Sequence, residues 1–273
     1  MKPIKKNEDV INKKRLKQFT NILKKIPFHV WEDIVRNEPE WIYLEPLYNN
    51  YGFGRFAVAM LIIGLNDYQL KGKAEQKYWS VIASHLKTFN IPESVDNLEE
   101  CLTSFYQKER LPKGKIKRLH RFLQSNLAKE IWNAKPNKIE RNFQQIWKQL
   151  AWTMKQKNDA KTICFAMKCL GISLLFSNYT NFDFTCISIP VDSRIEQFTT
   201  KTRILIDTSP QTIRALWNTV LLDLQHTNAR VTMIHLDSLI WQIGTLDHDS
   251  IKEYFSELQL EKIGEELKKF IKL

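Results

Sequence analysis

Glycine and proline are scarce in this chain, 8 and 9 among 273 residues, and Val-rich alternating runs are few. Sandwiches and barrels turn often and lean on both residue types, so their shortage argues for helices. No run of about eighteen apolar residues occurs, so no membrane-spanning helix and no membrane partner are expected. The opening Met1-Lys2-Pro3-Ile4-Lys5-Lys6 has no apolar signal core, and the expected location is the cytoplasm. Cysteine is limited to Cys101, Cys164, Cys169 and Cys186, with no Cys-x-x-Cys pair. That spacing speaks against zinc and iron–sulfur sites. Cys164 and Cys169 fall in apolar helix and read as small core residues of a reducing compartment.

What is present is a core and a surplus of positive charge. Hydrophobic residues make up 43% of the chain, which excludes general disorder, and the length suffices for one or two domains. Lys and Arg number 41 against 30 Asp and Glu, a net charge of +11. A basic surface calls for a polyanion, of which nucleic acid is the commonest, although a lysine-rich coding bias gives the same surplus without a partner. In the densest basic segment, Lys108 to Arg121, a turn is expected at Lys113-Gly114-Lys115 and a helix entry at Lys117-Arg118. Lysines and backbone amides at a helix start suit phosphate; a solvated face is the alternative.

Apolar residues recur at helical spacing over most of the chain. Helices are expected at 9–26, 29–36, 41–48, 55–65, 74–89, 92–106, 137–154, 159–176, 191–200, 210–225, 232–246, 250–258 and 261–272. Residues 182–188 read as extended without a strand partner. The fold class is all-α, with no repeat and no low-complexity linker.

Three places carry chemistry, and the expectation is that they meet in one pocket. In the first, Asn158 or Asp159 is a good N-cap and sets Lys161 in the first turn of a helix. The positive end of a helix, with burial, favours the neutral amine, which is a nucleophile; an exposed surface lysine is the plain alternative. Phe165 lies one turn further on the same face, suited to stacking a flat substrate or to the core. In the second, Asp192 follows Pro190 and Val191 and caps the helix that begins there. It serves as a structural cap alone, or also stabilises a cationic sugar or orients a nucleophile. In the third, Asp237 and Trp241 are one turn apart on one helix. Two aromatics can sandwich a base while a carboxylate accepts from ring N–H groups. Leu236, Leu239, Ile240 and Ile243 surround Asp237, and a carboxylate buried there is costly without a partner.

Lys161-Thr162-Ile163-Cys164-Phe165-Ala166-Met167-Lys168, Ile189-Pro190-Val191-Asp192-Ser193-Arg194 and His235-Leu236-Asp237-Ser238-Leu239-Ile240-Trp241 together resemble the helix-hairpin-helix DNA glycosylases with a Gly/Pro-rich loop and an essential Asp. The closer resemblance is to their archaeal 8-oxoguanine branch, archaeal GO glycosylase (AGOG). It runs from about Glu38 to Leu246 in consistent order, more loosely over Arg55 to Trp79. It implies one glycosylase unit over residues 1–273, of two helical lobes with the active site in the cleft. The helix-hairpin-helix motif then spans 146–204.

The same resemblance implies a base-flipping glycosylase with an associated lyase acting on double-stranded DNA that contains 8-oxoguanine. Lys161 matches the Schiff-base lysine and Asp192 the essential aspartate. Phe165 and Trp241 match the aromatics that sandwich the base, Asp237 and Trp79 its polar and indole contacts, and Pro190 the proline lining the pocket. No metal, organic cofactor or obligatory protein partner is implied, and the expected setting is the nucleoid of a prokaryote.

The chain departs from the pattern in three places. Glu40 falls where a base-reading Gln is expected, and Gly64 where a Ser is expected, so a contact there comes only from backbone. Lys155 stands where the hairpin between the motif helices has Gly. Lysine adopts positive φ less readily, so the hairpin's DNA role is expected to rest on the side chains of Lys155 and Lys157, beside Lys113, Lys115 and Lys117. The rival readings are a glycosylase of the same fold for another damaged base, which Glu40 keeps open, and a non-enzymatic helical DNA-binding protein.

Overall fold

The computed structural model describes residues 11–72 and 74–272, apart from the side chains of Glu75 and Gln76. Among the described residues there are sixteen α-helices, one π-helical turn and an isolated bridge between Ile11 and Leu205, so the fold is all-α. The chain begins with α1 (Lys13–Leu23) and α2 (Phe28–Arg36). It continues through α3 (Pro39–Tyr51), α4 (Phe53–Leu65), the π-helical turn Ala74–Tyr78, α5 (Trp79–Thr88), α6 (Val95–Tyr106), α7 (Pro112–Leu123), α8 (Asn126–Trp132), α9 (Pro136–Arg141), α10 (Phe143–Met154) and α11 (Lys161–Phe176). It ends with α12 (Ser193–Thr202), α13 (Pro210–Gln225), α14 (Met233–Ile243), α15 (His248–Glu257) and α16 (Glu261–Lys272). Proline opens α3, α7, α9 and α13, where its missing N–H costs nothing. Ser94, Ser125 and Ser209 cap α6, α8 and α13 through their side chains.

The helices form two compact units: Asn37–Ile187, and the described residues up to Arg36 together with those from Ser188 onward. The first is built around α4, buried at every position from Phe56 to Leu65. A helix that is apolar all round has to be wrapped, and α3, α7, α8 and above all α11 wrap it. Gly64 sets how near α11 comes: a Cβ there would stand 2.8 Å from Cys169 Sγ and 3.0 Å from Ala166 Cα. In the second unit, Phe19 of α1 packs against Phe198, Trp217 and Phe270, with ring centroids 6.1, 5.8 and 5.6 Å away.

Several expected boundaries move. The helix expected at 137–154 breaks at Asn142, whose side-chain Nδ2 donates to Lys138 O at 2.8 Å and whose backbone leaves the helical region. A side chain that competes with the backbone ladder ends a helix this way. Helix α8 was not anticipated. The 74–89 helix starts with the π-helical turn, and the 9–26 helix is Lys13–Leu23, with Asp9 and Val10 outside the described residues. Residues 113–115 are helix rather than turn, because Leu111 takes the left-handed conformation (φ 54) and α7 begins at Pro112.

Candidate active site

In the Asn37–Ile187 unit, α10 ends and α11 begins across a hairpin. Lys155 takes φ 54, ψ 45, and two bonds close the turn: Lys155 N to Trp152 O at 3.0 Å and Gln156 N to Ala151 O at 2.9 Å. This pair is the Schellman closure, which usually uses glycine at the left-handed position. The expectation that lysine would avoid positive φ is therefore wrong: two backbone hydrogen bonds hold Lys155 there, and its side chain, like that of Lys157, is exposed.

Helix α11 starts at Lys161 itself, two residues later than expected, with Ala160 as N-cap and no side-chain cap. Asn158 serves otherwise: its carbonyl accepts from Trp147 Nε1 at 2.9 Å. First-turn amides that no side chain caps leave the positive end of the helix beside Lys161, which is half-buried. Phe165, one turn on, is also half-buried. It meets the buried ring of Trp79 edge-on, centroids 6.2 Å apart at 62°. Trp79 leads α5 directly after the π-helical turn, an irregularity frequent at functional sites.

A buried ionic cluster adjoins Phe165. Lys168 Nζ lies 5.8 Å from the Phe165 ring centroid, 2.8 Å from Glu38 Oε1 and 3.7 Å from Glu40 Oε1. Glu38 is the N-cap residue of α3 and Glu40 sits in its first turn. Burial first, then the charge of Glu38, push the Glu40 carboxyl well above the usual carboxylate range, against the pull of Lys168. The sequence reading missed Glu38 and held Lys168 only as a fallback nucleophile to Lys161. The available signal was a lysine in the middle of an otherwise apolar stretch of helix. Gly64, expected as a backbone contact to a base, is buried and acts in helix packing against α11.

The basic segment divides by exposure. Lys113 and Lys117 are exposed, but Lys115 is fully buried, its Nζ 5.4 Å from the Tyr68 ring and 5.7 Å from the Tyr78 ring, with Glu109 Oε2 3.7 Å away. Burial lowers its pKa from the usual lysine range, with Glu109 pulling the other way. Lys115 is thus no phosphate contact, since its charge is held inside the unit by two aromatic faces and a carboxylate. Two arginines of the same helix clamp the hairpin instead. Arg118 donates to Leu65 O (2.9 Å), Thr162 Oγ1 (3.0 Å) and Gln156 Oε1 (3.2 Å), and Arg121 donates to Met154 O (3.2 Å).

In the other unit, Asp192 is the N-cap of α12, as expected: its Oδ1 accepts from Arg194 N and Ile195 N, each at 3.0 Å. Pro190, two residues earlier, is buried, and Asp192 is half-buried. The guanidinium of Arg194 stacks on Trp241, 4.0 Å from the ring centroid. Gly244 permits this approach of α14 to α12, since a Cβ there would meet Arg194 O at 2.8 Å. Helix α14 begins with a reciprocal cap in which Thr232 N donates to His235 Nδ1 at 3.1 Å. It carries Asp237, 2% exposed, and the half-buried Trp241 one turn later.

The family described as AGOG, N-glycosylase/DNA lyase, matches residues 20–272. An N-glycosylase/DNA lyase of Methanococcus maripaludis is 28% identical over 218 residues, covering 76% of this chain and 78% of that protein. The crystal structure of 8-oxoguanosine-complexed Pa-AGOG, an 8-oxoguanine DNA glycosylase from Pyrobaculum aerophilum, is similar in fold. Its TM-score is 0.68 at 19% identity, with 85% of this chain and 88% of that chain covered. With a family match running from residue 20 to residue 272, the chain belongs to the AGOG family of N-glycosylase/DNA lyases.

Proposed function

We propose that the chain removes 8-oxoguanine from double-stranded DNA through a Schiff base on Lys161. The broader activity comes with the family: the protein is a DNA repair N-glycosylase that is also a DNA lyase. The observation that carries the finer reading is Lys161 at the first position of α11, with Phe165 one turn on and edge-to-face with Trp79. An amine at the positive end of a helix sits one turn from an aromatic surface suited to a flipped base. The Pyrobaculum aerophilum protein of similar fold was crystallised with 8-oxoguanosine, which favours that lesion.

In this mechanism the neutral amine of Lys161 attacks C1′ of the flipped nucleotide. The C1′–N9 bond breaks, and the base leaves with its electron pair and takes up a proton. Asp192 stabilises the positive charge that develops on the sugar. The ring then opens to an imine between Lys161 and C1′. Loss of a C2′ proton breaks the C3′–O bond and releases the 3′ phosphate. Phe165 and Trp241 stack the base, Asp237 accepts from its ring N–H groups, and Trp79, Pro190 and Glu40 complete the recognition set. Lys113, Lys117, Lys155 and Lys157 contact the phosphate backbone.

Borohydride trapping on an 8-oxoguanine duplex tests this reading. The native chain is expected to give a covalent adduct. Lys161→Gln is expected to give none while still binding DNA. An adduct formed by Lys161→Gln would refute the assignment.

A further inference from the structure

The Glu38–Lys168–Glu40 cluster holds two carboxyl groups against one ammonium, all three almost fully buried. Lys168 gives its short contact, 2.8 Å, to Glu38 and lies 3.7 Å from Glu40. Among the described residues, Glu40 Oε1 is buried without a hydrogen-bond partner. Buried polar atoms are nearly always bonded, and the exceptions concentrate where a ligand or a reaction completes them. The cluster also lies against the site face of α11, since Lys168 Nζ is 5.8 Å from the Phe165 ring centroid.

Building on the reading of Phe165 as a base-stacking residue, we propose that Glu40 acts as a neutral carboxylic acid and reads the N7–H and C8=O edge of 8-oxoguanine with a matched pair of hydrogen bonds. Its carbonyl accepts from N7–H and its hydroxyl donates to the C8 oxygen. Guanine has a bare acceptor at N7 and only a hydrogen on C8, so it can take one of these bonds and not the other. An ionised Glu40 would set its negative oxygen against the C8 oxygen and lose the second bond. Neutrality is therefore the recognition state, and the cluster supplies it. A second buried anion next to Glu38 would share a cation already engaged. The charged groups acting on Glu40 are Glu38 on its own helix, Lys168 on α11, and Asp67 after α4. Two of these are acids, and the cation among them makes its short contact, 2.8 Å, to Glu38.

Excision, but not strand cleavage, then depends on the protonation of Glu40. Excision of 8-oxoguanine falls as pH rises through the titration of Glu40, whereas cleavage of a preformed abasic site uses Lys161 without a base contact. The ratio of single-turnover excision to abasic-site cleavage cancels any pH effect that the two steps share. In the wild type that ratio is expected to fall with rising pH. In Glu40→Gln, whose amide offers the same acceptor and a donor at all pH values, the ratio is expected to stay flat with pH. Glu40→Ala should lower it roughly tenfold or more at every pH. Isotope-edited infrared difference spectra give an independent readout on the wild type: a protonated-carboxyl carbonyl band at neutral pH that is missing from Glu40→Gln. Excision by the wild type with a flat ratio, or absence of that band, overturns the inference alone. A wild type that cleaves abasic DNA but leaves 8-oxoguanine in place overturns the lesion reading, and this inference with it.

Discussion

Acid should destabilise the fold through the start of the helix that carries Asp237 and Trp241, and the group responsible is His235. Its imidazole is 6% exposed, and Nδ1 faces Thr232 N at 3.1 Å and Thr232 Oγ1 at 3.0 Å. Accepting from a backbone N–H requires an unprotonated Nδ1, and burial pushes the group down from 6.5 to about 4. In the unfolded chain the ring takes up a proton near pH 6.5. Between these values the unfolded state binds more protons than the folded one, so stability falls as pH falls. The contribution is fully present above pH 6.5, shrinks below it, and levels off below about 4. Each unit is worth about 1.4 kcal/mol, so at pH 5 the loss is about 2 kcal/mol. For a chain of this size that is roughly 4–8 °C in melting temperature.

The variant His235→Asn isolates the effect. Its amide oxygen can accept the same N–H and does not titrate, while every other group in the chain is shared. The melting-temperature difference between wild type and variant is expected to shrink by the stated amount, or change sign, from pH 7.5 to pH 5. A difference that stays constant over that range would refute the reasoning, and a capping histidine that is charged in the fold would follow.

Three further outcomes are expected. Neutralising Lys113 and Lys117 together should weaken binding to damaged and undamaged DNA alike and reduce the salt slope by roughly two, whereas Lys115→Met should leave the slope unchanged; the same slope change from both would contradict the burial of Lys115. Asp237→Asn should lower single-turnover excision of 8-oxoguanine roughly ten- to a hundred-fold, the worth of a hydrogen bond to a charged group, and cleavage of a preformed abasic site far less. Gly64→Ser should cost about 1–3 kcal/mol by thermal melting, because its Cβ would stand 2.8 Å from Cys169 Sγ; full stability would mean that α4 and α11 separate easily.

Much of the helical architecture was readable because its punctuation is local. Pro210 and the run to Gln225 gave α13 at both ends, and the carboxylate of Asp192 after Pro190 marked the start of α12. Boundaries failed where a single polar side chain or an unusual φ decided them. Asn142 interrupts an amphipathic pattern that continues through it, and Leu111 enters the left-handed region without a glycine to announce it. The α8 helix has a short local signal, Ser125 ahead of Leu127, Ala128 and Ile131. Charge was the hardest to read. Nothing in the spacing of Lys113, Lys115 and Lys117 says that the middle one lies between Tyr68 and Tyr78. Nothing in α3 says that Glu38 and Glu40 share Lys168, which follows them by more than a hundred residues in the chain.

The Asn37–Ile187 unit is continuous in sequence, whereas the other is assembled from the two ends of the chain. Helix α1 is bound by partners made much later: Arg15 Nε donates to Thr202 O at 2.8 Å and Arg15 Nη2 to Phe270 O at 2.8 Å, 187 and 255 residues away. At ribosomal speeds those carbonyls emerge on the order of ten seconds or more after α1 does. The inner unit can be complete on the ribosome while Phe19, Ile22 and Leu23 still have no native surface to cover them. Birth order thus separates the two halves of the proposed chemistry: the lysine helix can mature during synthesis, and the helices bearing Asp192 and Asp237 close only when the last turn of the chain has been released.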